Sequence, residues 1–411
     1  MRPQGADAAL DAVDREAIAR DVSRLVRSRS VTGSERAAAV ELVAMAQDLG
    51  LDAELVEHDL DTARTSEGYP GEEAPRSELT GATITLRGGD GARLCLNGHL
   101  DVVAEGTEAW AHDPWSGDIA GDVVHGRGAV DMKGGVVAAL HALGALKLAG
   151  VTLAGDVVLQ AVSSEEDGGL GTFAALESDD DFSACLIPEP TEFGVVCAQA
   201  GALTFTGVVR GKTAHAAVRL EGVSAIDRYI PIHLALADYE REMNDRPRHP
   251  LLADHPLPYP LLVGQIAAGR WSSQVPEELR FEGRVGVPVG TSVEQVRREF
   301  EDVIGGVAPD AEVTWTGGQF GSGATPVEHP WVAHVLAAAA EELGAPPPLT
   351  GVSYGADMRL FCERGIPCVM FGPSGLRLAH AKDECVSSTE LATLSRTIVR
   401  VICGWPPAST S

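Results

Sequence analysis

Three near-continuous apolar stretches, residues 93–97, 156–163 and 184–188, constrain this chain more than any other feature. Each is strand-length, and between the first two lies an Ala/Leu/Val-rich helical run, 131–149, that opens on the pair Gly134-Gly135. A strand apolar at every position must be covered on both faces, and strand–helix–strand order gives a parallel neighbour. The expected fold is therefore α/β, a mainly parallel sheet flanked by helices. In such sheets ligands gather beyond the carboxyl ends of the strands.

The rest of the chain falls into place around that sheet. Helical spacing predicts helices over 14–27 and 34–49, the second with Ser34 as N-cap and Gly50 as stop. Short strands are expected at 54–57 and 83–87, and the polar, Pro- and Gly-bearing stretch 62–78 reads as a surface loop. From 202 the character changes. Strands at 202–210, 261–267, 278–287 and 312–316, with helices at 222–244 and 292–303, form an α+β insert. Pro231 is expected to kink or restart the first of these helices. A helix at 331–343, a strand at 367–371 and a helix at 389–403 return to the first style. The expected organisation is 1–202 and 318–411 as one domain and 203–317 as an inserted one, in line with a length of 411 residues.

Five motifs carry donor groups typical of a divalent metal site. They are Gly98-His99-Leu100-Asp101, Gly126-Arg127-Gly128-Ala129-Val130-Asp131-Met132-Lys133-Gly134-Gly135, Ser164-Glu165-Glu166-Asp167-Gly168-Gly169, Pro188-Glu189-Pro190-Thr191 and Ala379-His380-Ala381-Lys382-Asp383-Glu384. Imidazole plus carboxylate is the donor set of a catalytic zinc or related centre, not of an all-Cys structural one. Several donors directly follow the apolar strands. His99 and Asp101, two apart, leave an extended segment on one side, so one can bind an ion while the other accepts the second ring N–H. A capped strand end with a surface His is the plainer alternative. Asp131 suits either a bridge between two cations about 3.5–4 Å apart or a helix N-cap. Glu165 and Glu166 diverge as neighbours, giving one ligand and one proton shuttle, or else a solvated acidic turn. Glu189 is held between prolines as a ready ligand or as a rigid exposed turn.

In this order the motifs resemble the metal-dependent amidohydrolase family of acetylornithine deacetylase, succinyl-diaminopimelate desuccinylase, aminoacylase and carboxypeptidase G, over nearly the whole chain. The resemblance implies a zinc-peptidase-like catalytic domain and two divalent ions, Zn or alternatively Co. His99, Asp131 and Glu189 hold one ion; Asp131, Glu166 and His380 hold the other. Asp101 orients His99, and Glu165 moves the proton between the attacking water and the leaving nitrogen. It also implies a cis peptide at Asp131–Met132. The insert resembles the family's lid and dimerisation domain, which implies a homodimer. His215, in Gly211-Lys212-Thr213-Ala214-His215-Ala216, matches the lid His that reaches an active site, often the neighbouring subunit's, and stabilises the oxyanion. Arg284 falls where the family binds a substrate carboxylate, and Arg359, in Tyr354-Gly355-Ala356-Asp357-Met358-Arg359, lies in a loop near the site and is a second substrate-binding candidate. The lid departs from the pattern at Val218-Arg219-Leu220 and at Ser272-Ser273-Gln274-Val275-Pro276, both where substrate is contacted.

The implied activity is hydrolysis of the amide of an N-acyl amino acid. A metal-dependent dipeptidase or carboxypeptidase is the alternative, and a non-catalytic binding relative a remoter one. A formal net charge of −27 disfavours nucleic acid and anionic lipid as partners. No run reads as long and apolar enough to span a bilayer, and residues 1–20 lack a signal core. Seven scattered Cys read as free thiols of a cytoplasmic protein.

Overall fold

The computed structural model describes residues 3–405. Along the chain the strands are β1 (Asp52–His58), β2 (Leu79–Leu86), β3 (Leu94–His99), β4 (Ile119–Ala120), β5 (Val123–His125), β6 (Val157–Val162), β7 (Ala184–Ile187) and β8 (Val195–Gln199). Next come β9 (Gly201–Arg210), β10 (Leu261–Ala268), β11 (Glu278–Val287) and β12 (Glu312–Phe320). The last are β13 (Gly323–Ala324), β14 (Leu349–Val352), β15 (Cys368–Met370) and β16 (Cys385–Ser387).

Nine strands form the main sheet, in the order β1-β2-β6-β3-β7-β15-β8-β13 with β14 beside β8. Its centre is parallel: β6, β3, β7 and β15 run together. The edge is antiparallel, through β1/β2 and β2/β6 on one side and β15/β8 and β8/β13 on the other. Every residue of β3, β6 and β7 is buried, which is why these strands read as unbroken apolar runs. Helices Arg15–Arg27, Gly134–Leu148, Pro330–Leu343 and Ser388–Gly404 pack together against this body.

The inserted α+β body has its own four-stranded antiparallel sheet, β10-β11-β9-β12, and its own apolar core. Phe205, Phe281 and Phe300 meet Tyr229, Ile232 and Leu236 of helix Ala225–Asp245 there. A short ribbon, β16-β5-β4, ties the C-terminal segment to the loop before residue 126.

Several expectations need correction. Helix Ala225–Asp245 runs through Pro231 without restarting. Pro231 sits on the exposed face, where water can satisfy the carbonyl that loses its N–H partner. The stretch 62–78 is not loop throughout, because helix Leu60–Thr65 occupies its start, capped by Asp59. Ser34 is not the cap of helix Arg36–Asp48; Glu35 holds that position. Helices Leu170–Ser178 and Met358–Glu363 and strands β8 and β14 escaped the sequence reading. They are short, and short apolar runs do not distinguish helix from strand by period. Residues Ala129–Leu148 do reach membrane-spanning length, with mean hydropathy 1.3, but 94% of that window is buried inside the protein. Cys95, Cys185, Cys197, Cys362, Cys368 and Cys385 form no disulfide.

Candidate metal centre and active site

The three central parallel strands deliver the donors. β3 ends on His99, β6 stops two residues before the Ser164–Asp167 turn, and β7 runs into Pro188-Glu189. Because β6, β3 and β7 are neighbours in register, their carboxyl ends open onto one rim. Asp131 reaches the same rim from the turn before helix Gly134–Leu148. A Cβ on Gly135 would lie 2.1 Å from the Pro188 carbonyl oxygen, so only glycine lets the helix start this close to the β7 end. The Asp131–Met132 peptide is cis.

Asp131 is central. Its Oδ1 lies 3.1 Å from His99 Nε2 and its Oδ2 3.4 Å from His380 Nε2. His380 Nε2 is also 3.0 Å from the Glu166 carboxylate, and His99 Nε2 is 3.7 Å from Glu189 Oε1. Donor atoms of His99, Asp131 and Glu166 all fall within 4.8 Å of one another. His380, at φ 60°, occupies the left-handed region, as does Ser164 at φ 67°. Such a residue costs about 1–3 kcal/mol and persists where surrounding structure fixes it.

The charge balance of this rim favours cations. Among the described residues no Lys or Arg pairs with Asp131, Glu165, Glu166 or Glu189, which face only two imidazoles. Burial pushes the Glu189 carboxyl up to about 8, helped by the Asp131 charge. Burial also raises Glu165 well above the ordinary carboxylate range; His99 opposes this, while Asp357 and Glu189 reinforce it. Asp131 is the exception: burial would raise it, but hydrogen bonds to His380 and His99 prevail and hold it below that range. The bonds from Asp131 and Glu166 lift His380 to about 10. Buried like charges at this spacing are costly unless neutralised, and the mixed His/carboxylate set suits divalent ions of the zinc type.

Asp101 acts differently from expectation. The His99 Nδ1 partner is the Asp101 backbone carbonyl at 2.7 Å, while the nearest carboxylate oxygen is 3.7 Å away. The Asp101 carboxylate instead accepts the N–H groups of Glu165 and Glu166, both at 3.1 Å, and the Thr32 hydroxyl at 3.2 Å. It thereby aligns the turn after β6.

The cleft above the rim has a volume of 510 Å³, and its lining includes Asp131, Glu165, Glu166, Glu189 and His380. Arg284, from β11, stands in its wall beside Leu262, Phe320 and Tyr354, with Nε 3.3 Å from Thr204 Oγ1. Arg359 does not line this cleft. Its guanidinium is buried, bonds to the carbonyls of Gly168 and Ala356 at 2.6 and 3.1 Å, and stacks on Phe320, so it braces the site from behind. His215 lies exposed on the inserted body, accepts the Ala217 N–H, and is not among the residues lining the cleft of its own chain.

Two further residues within these motifs, Arg127 and Glu384, hold the site together. The buried Glu384 carboxylate accepts the N–H groups of Gly128 (2.9 Å), Val130 (3.0 Å) and Asp131 (3.2 Å) and pairs with Arg127 at 2.6 Å. Arg127 also bonds the His380 carbonyl at 3.3 Å. This pair locks the Asp131 turn to the His380 loop. The sequence signal was only an Arg and a Glu within metal motifs far apart in the chain.

Comparison with known proteins agrees with this geometry. The family model described as Peptidase family M20/M25/M40 matches residues 95–403. The chain is 27% identical over 366 residues to N-formyl-4-amino-5-aminomethyl-2-methylpyrimidine deformylase of Bacillus subtilis, covering 82% of this chain and 84% of that protein. It is 28% identical over 322 residues to succinyl-diaminopimelate desuccinylase of Alkalilimnicola ehrlichii, covering 75% and 83%. Its fold is similar to that of the dipeptidase Dug1p from Saccharomyces cerevisiae, with a TM-score of 0.75, 13% identity and coverage of 97% and 98%. With its donors gathered at one sheet rim and the family match spanning them, the chain belongs to peptidase family M20/M25/M40 and is a metallohydrolase acting on amide bonds.

Proposed function

We propose that this chain is a dinuclear deacylase that hydrolyses the amide of a small N-acyl amino acid. One observation carries the reading: the two Asp131 oxygens face different imidazoles, Oδ1 towards His99 and Oδ2 towards His380. His99, Asp131 and Glu189 would hold one ion and Asp131, Glu166 and His380 the other, with zinc as the metal and cobalt as an alternative. Two such ions supply Lewis acidity, lowering the pKa of water and polarising a carbonyl.

The chain's own residues do the rest. Glu165, buried beside the donors and free of any Arg or Lys partner among the described residues, takes the proton of the attacking water. It returns that proton to the departing nitrogen. Asp101 fixes the backbone on which Glu165 and Glu166 stand. Arg284 presents a fork to the substrate carboxylate at the far wall of the cleft. Residues 1–202 and 318–411 act as the catalytic domain and 203–317 as lid and dimerisation domain. His215 of a second copy donates to the oxyanion. The names of the sequence relatives, both deacylases, support the deacylase reading over a dipeptidase or carboxypeptidase. The enzyme works in the cytoplasm.

The test is a panel of N-formyl, N-acetyl and N-succinyl amino acids beside dipeptides, run on protein stripped of metal and reloaded with Zn²⁺ or Co²⁺. Turnover of an N-acyl amino acid that vanishes on stripping and returns on reloading is expected. Dipeptide turnover alone would move the reading to the peptidase. Full activity after verified removal of metal would end it.

A further inference from the structure

Residues 66–78 do more than cross the surface. Arg76 within them has no exposed side-chain area. Its Nη2 lies 2.9 Å from both oxygens of Asp167, and its Nη1 is 3.4 Å from Glu35 Oε1. Asp167 in turn accepts the N–H groups of Glu73 (3.0 Å) and Ala74 (2.8 Å) and the Ser164 hydroxyl. It is 4% exposed and does not line the cleft, so it does not touch substrate. Yet it directly follows Glu165-Glu166, whose N–H groups are held at the other end by Asp101. The turn is pinned from both ends, by one carboxylate in front and one ion pair behind.

The same strap touches the inserted body. Glu73 Oε1 accepts the Thr204 hydroxyl and the Gly318 N–H, each at 3.3 Å, and faces Arg284 Nη2 at 3.9 Å. The Pro70 carbonyl accepts the Gln319 N–H at 2.8 Å.

We propose that Arg76 and Asp167 are positioning residues for the hydrolysis: their buried ion pair sets where the Glu165 carboxylate points, through a strap anchored on the inserted body. The inference rests on the deacylase reading for its kinetic test and on the geometry alone for its second test. In metal-loaded enzyme, Asp167→Asn and Arg76→Met should each lower kcat about 10- to 100-fold, the scale of an ångström-level misplacement of a catalytic group. KM and metal content should stay within about twofold, since neither residue reaches substrate or donors. The double variant should lose less than the product of the two single losses, because both substitutions remove the shared Arg76–Asp167 pair. Arg76→Lys, which keeps the charge but not the fork, should fold and fall between. A kcat within twofold of wild type in folded, metal-loaded Asp167→Asn, with loss only in melting temperature, would reduce the pair to a structural role. So would losses that multiply in the double variant. If the wild type hydrolyses nothing in the panel, the functional reading fails, and hydrogen exchange decides the positioning claim by itself. The Glu165 and Glu166 amides should exchange faster in Asp167→Asn than in wild type, and unchanged protection would overturn the proposal.

Discussion

The turn after β6 and the outer face of the inserted body finish themselves in opposite ways. At the turn the Glu165 and Glu166 N–H groups are both met within the chain by the Asp101 carboxylate, and the Asp167 carboxylate by Arg76. On the inserted body β10 is exposed along most of its length, with Leu262 65% and Ile266 54% exposed, and helix Ala225–Asp245 shows Ile230 and Leu234 at 52% and 60%. An uncovered edge strand beside apolar residues is the kind of face another chain can pair with. The contrast teaches where rigidity is needed. A site that collects buried carboxylates has to be held by its own fold, whereas an exposed face of the inserted body can be completed by a second copy.

The sharpest way to break this comparison is at the rim itself. Glu165→Gln should keep its metal and lose about 10³-fold in kcat; a near-normal rate would remove Glu165 from the chemistry. Next is Arg127→Met, which leaves the buried Glu384 without its cation. Loss of about 3–5 kcal/mol in urea unfolding is expected, together with weaker metal retention, since the Asp131 turn and the His380 loop part company.

The inserted body answers to a mixing experiment. His215→Ala should cost about 100-fold in kcat. If His215 acts across subunits, combining it with Glu165→Gln by dissociation and reassociation restores about one quarter of wild-type activity, carried by heterodimers with one intact site. No recovery would place His215 in its own chain's mechanism or outside it.

A smaller effect comes from Glu35, whose carboxyl is pushed up to about 7 by burial and by the Asp101 charge. The folded state keeps its proton to near pH 7, the unfolded state only to near 4.5. Stability therefore falls as pH rises through that window. Glu35→Gln should flatten the slope, a change of about 2–3 kcal/mol across it, read by urea unfolding at pH 4.5 and 7.5. The smallest effect on stability is expected from Leu262→Asp with Ile266→Asp: within about 0.5 kcal/mol, but with sedimentation shifted to the monomer.

Much of this architecture is legible in the sequence. The unbroken apolar strands announced a sheet covered on both faces, because a strand with no polar face has nowhere to meet water. His99, Glu165, Glu166 and Glu189 followed those strands, and a functional rim at strand ends is a consequence of parallel topology. Less legible were residues whose partners are distant in sequence. Arg76 looked like one more charge in a polar loop, and Arg127 and Glu384 like bystanders in their motifs. Arg359 looked like a substrate ligand, yet carbonyls of Gly168 and Ala356 absorb its fork.

By itself the sequence determined the fold class, a candidate set of donor residues and the acidic balance, since these follow from local period, residue type and counted charge. Only the tertiary structure decided which oxygen meets which nitrogen. It gave the His99 ring N–H to a backbone carbonyl and left the Asp101 carboxylate to the turn. It also put Arg76 behind Glu165. Such choices depend on distances between segments that share no local signal, and burial makes each of those distances count.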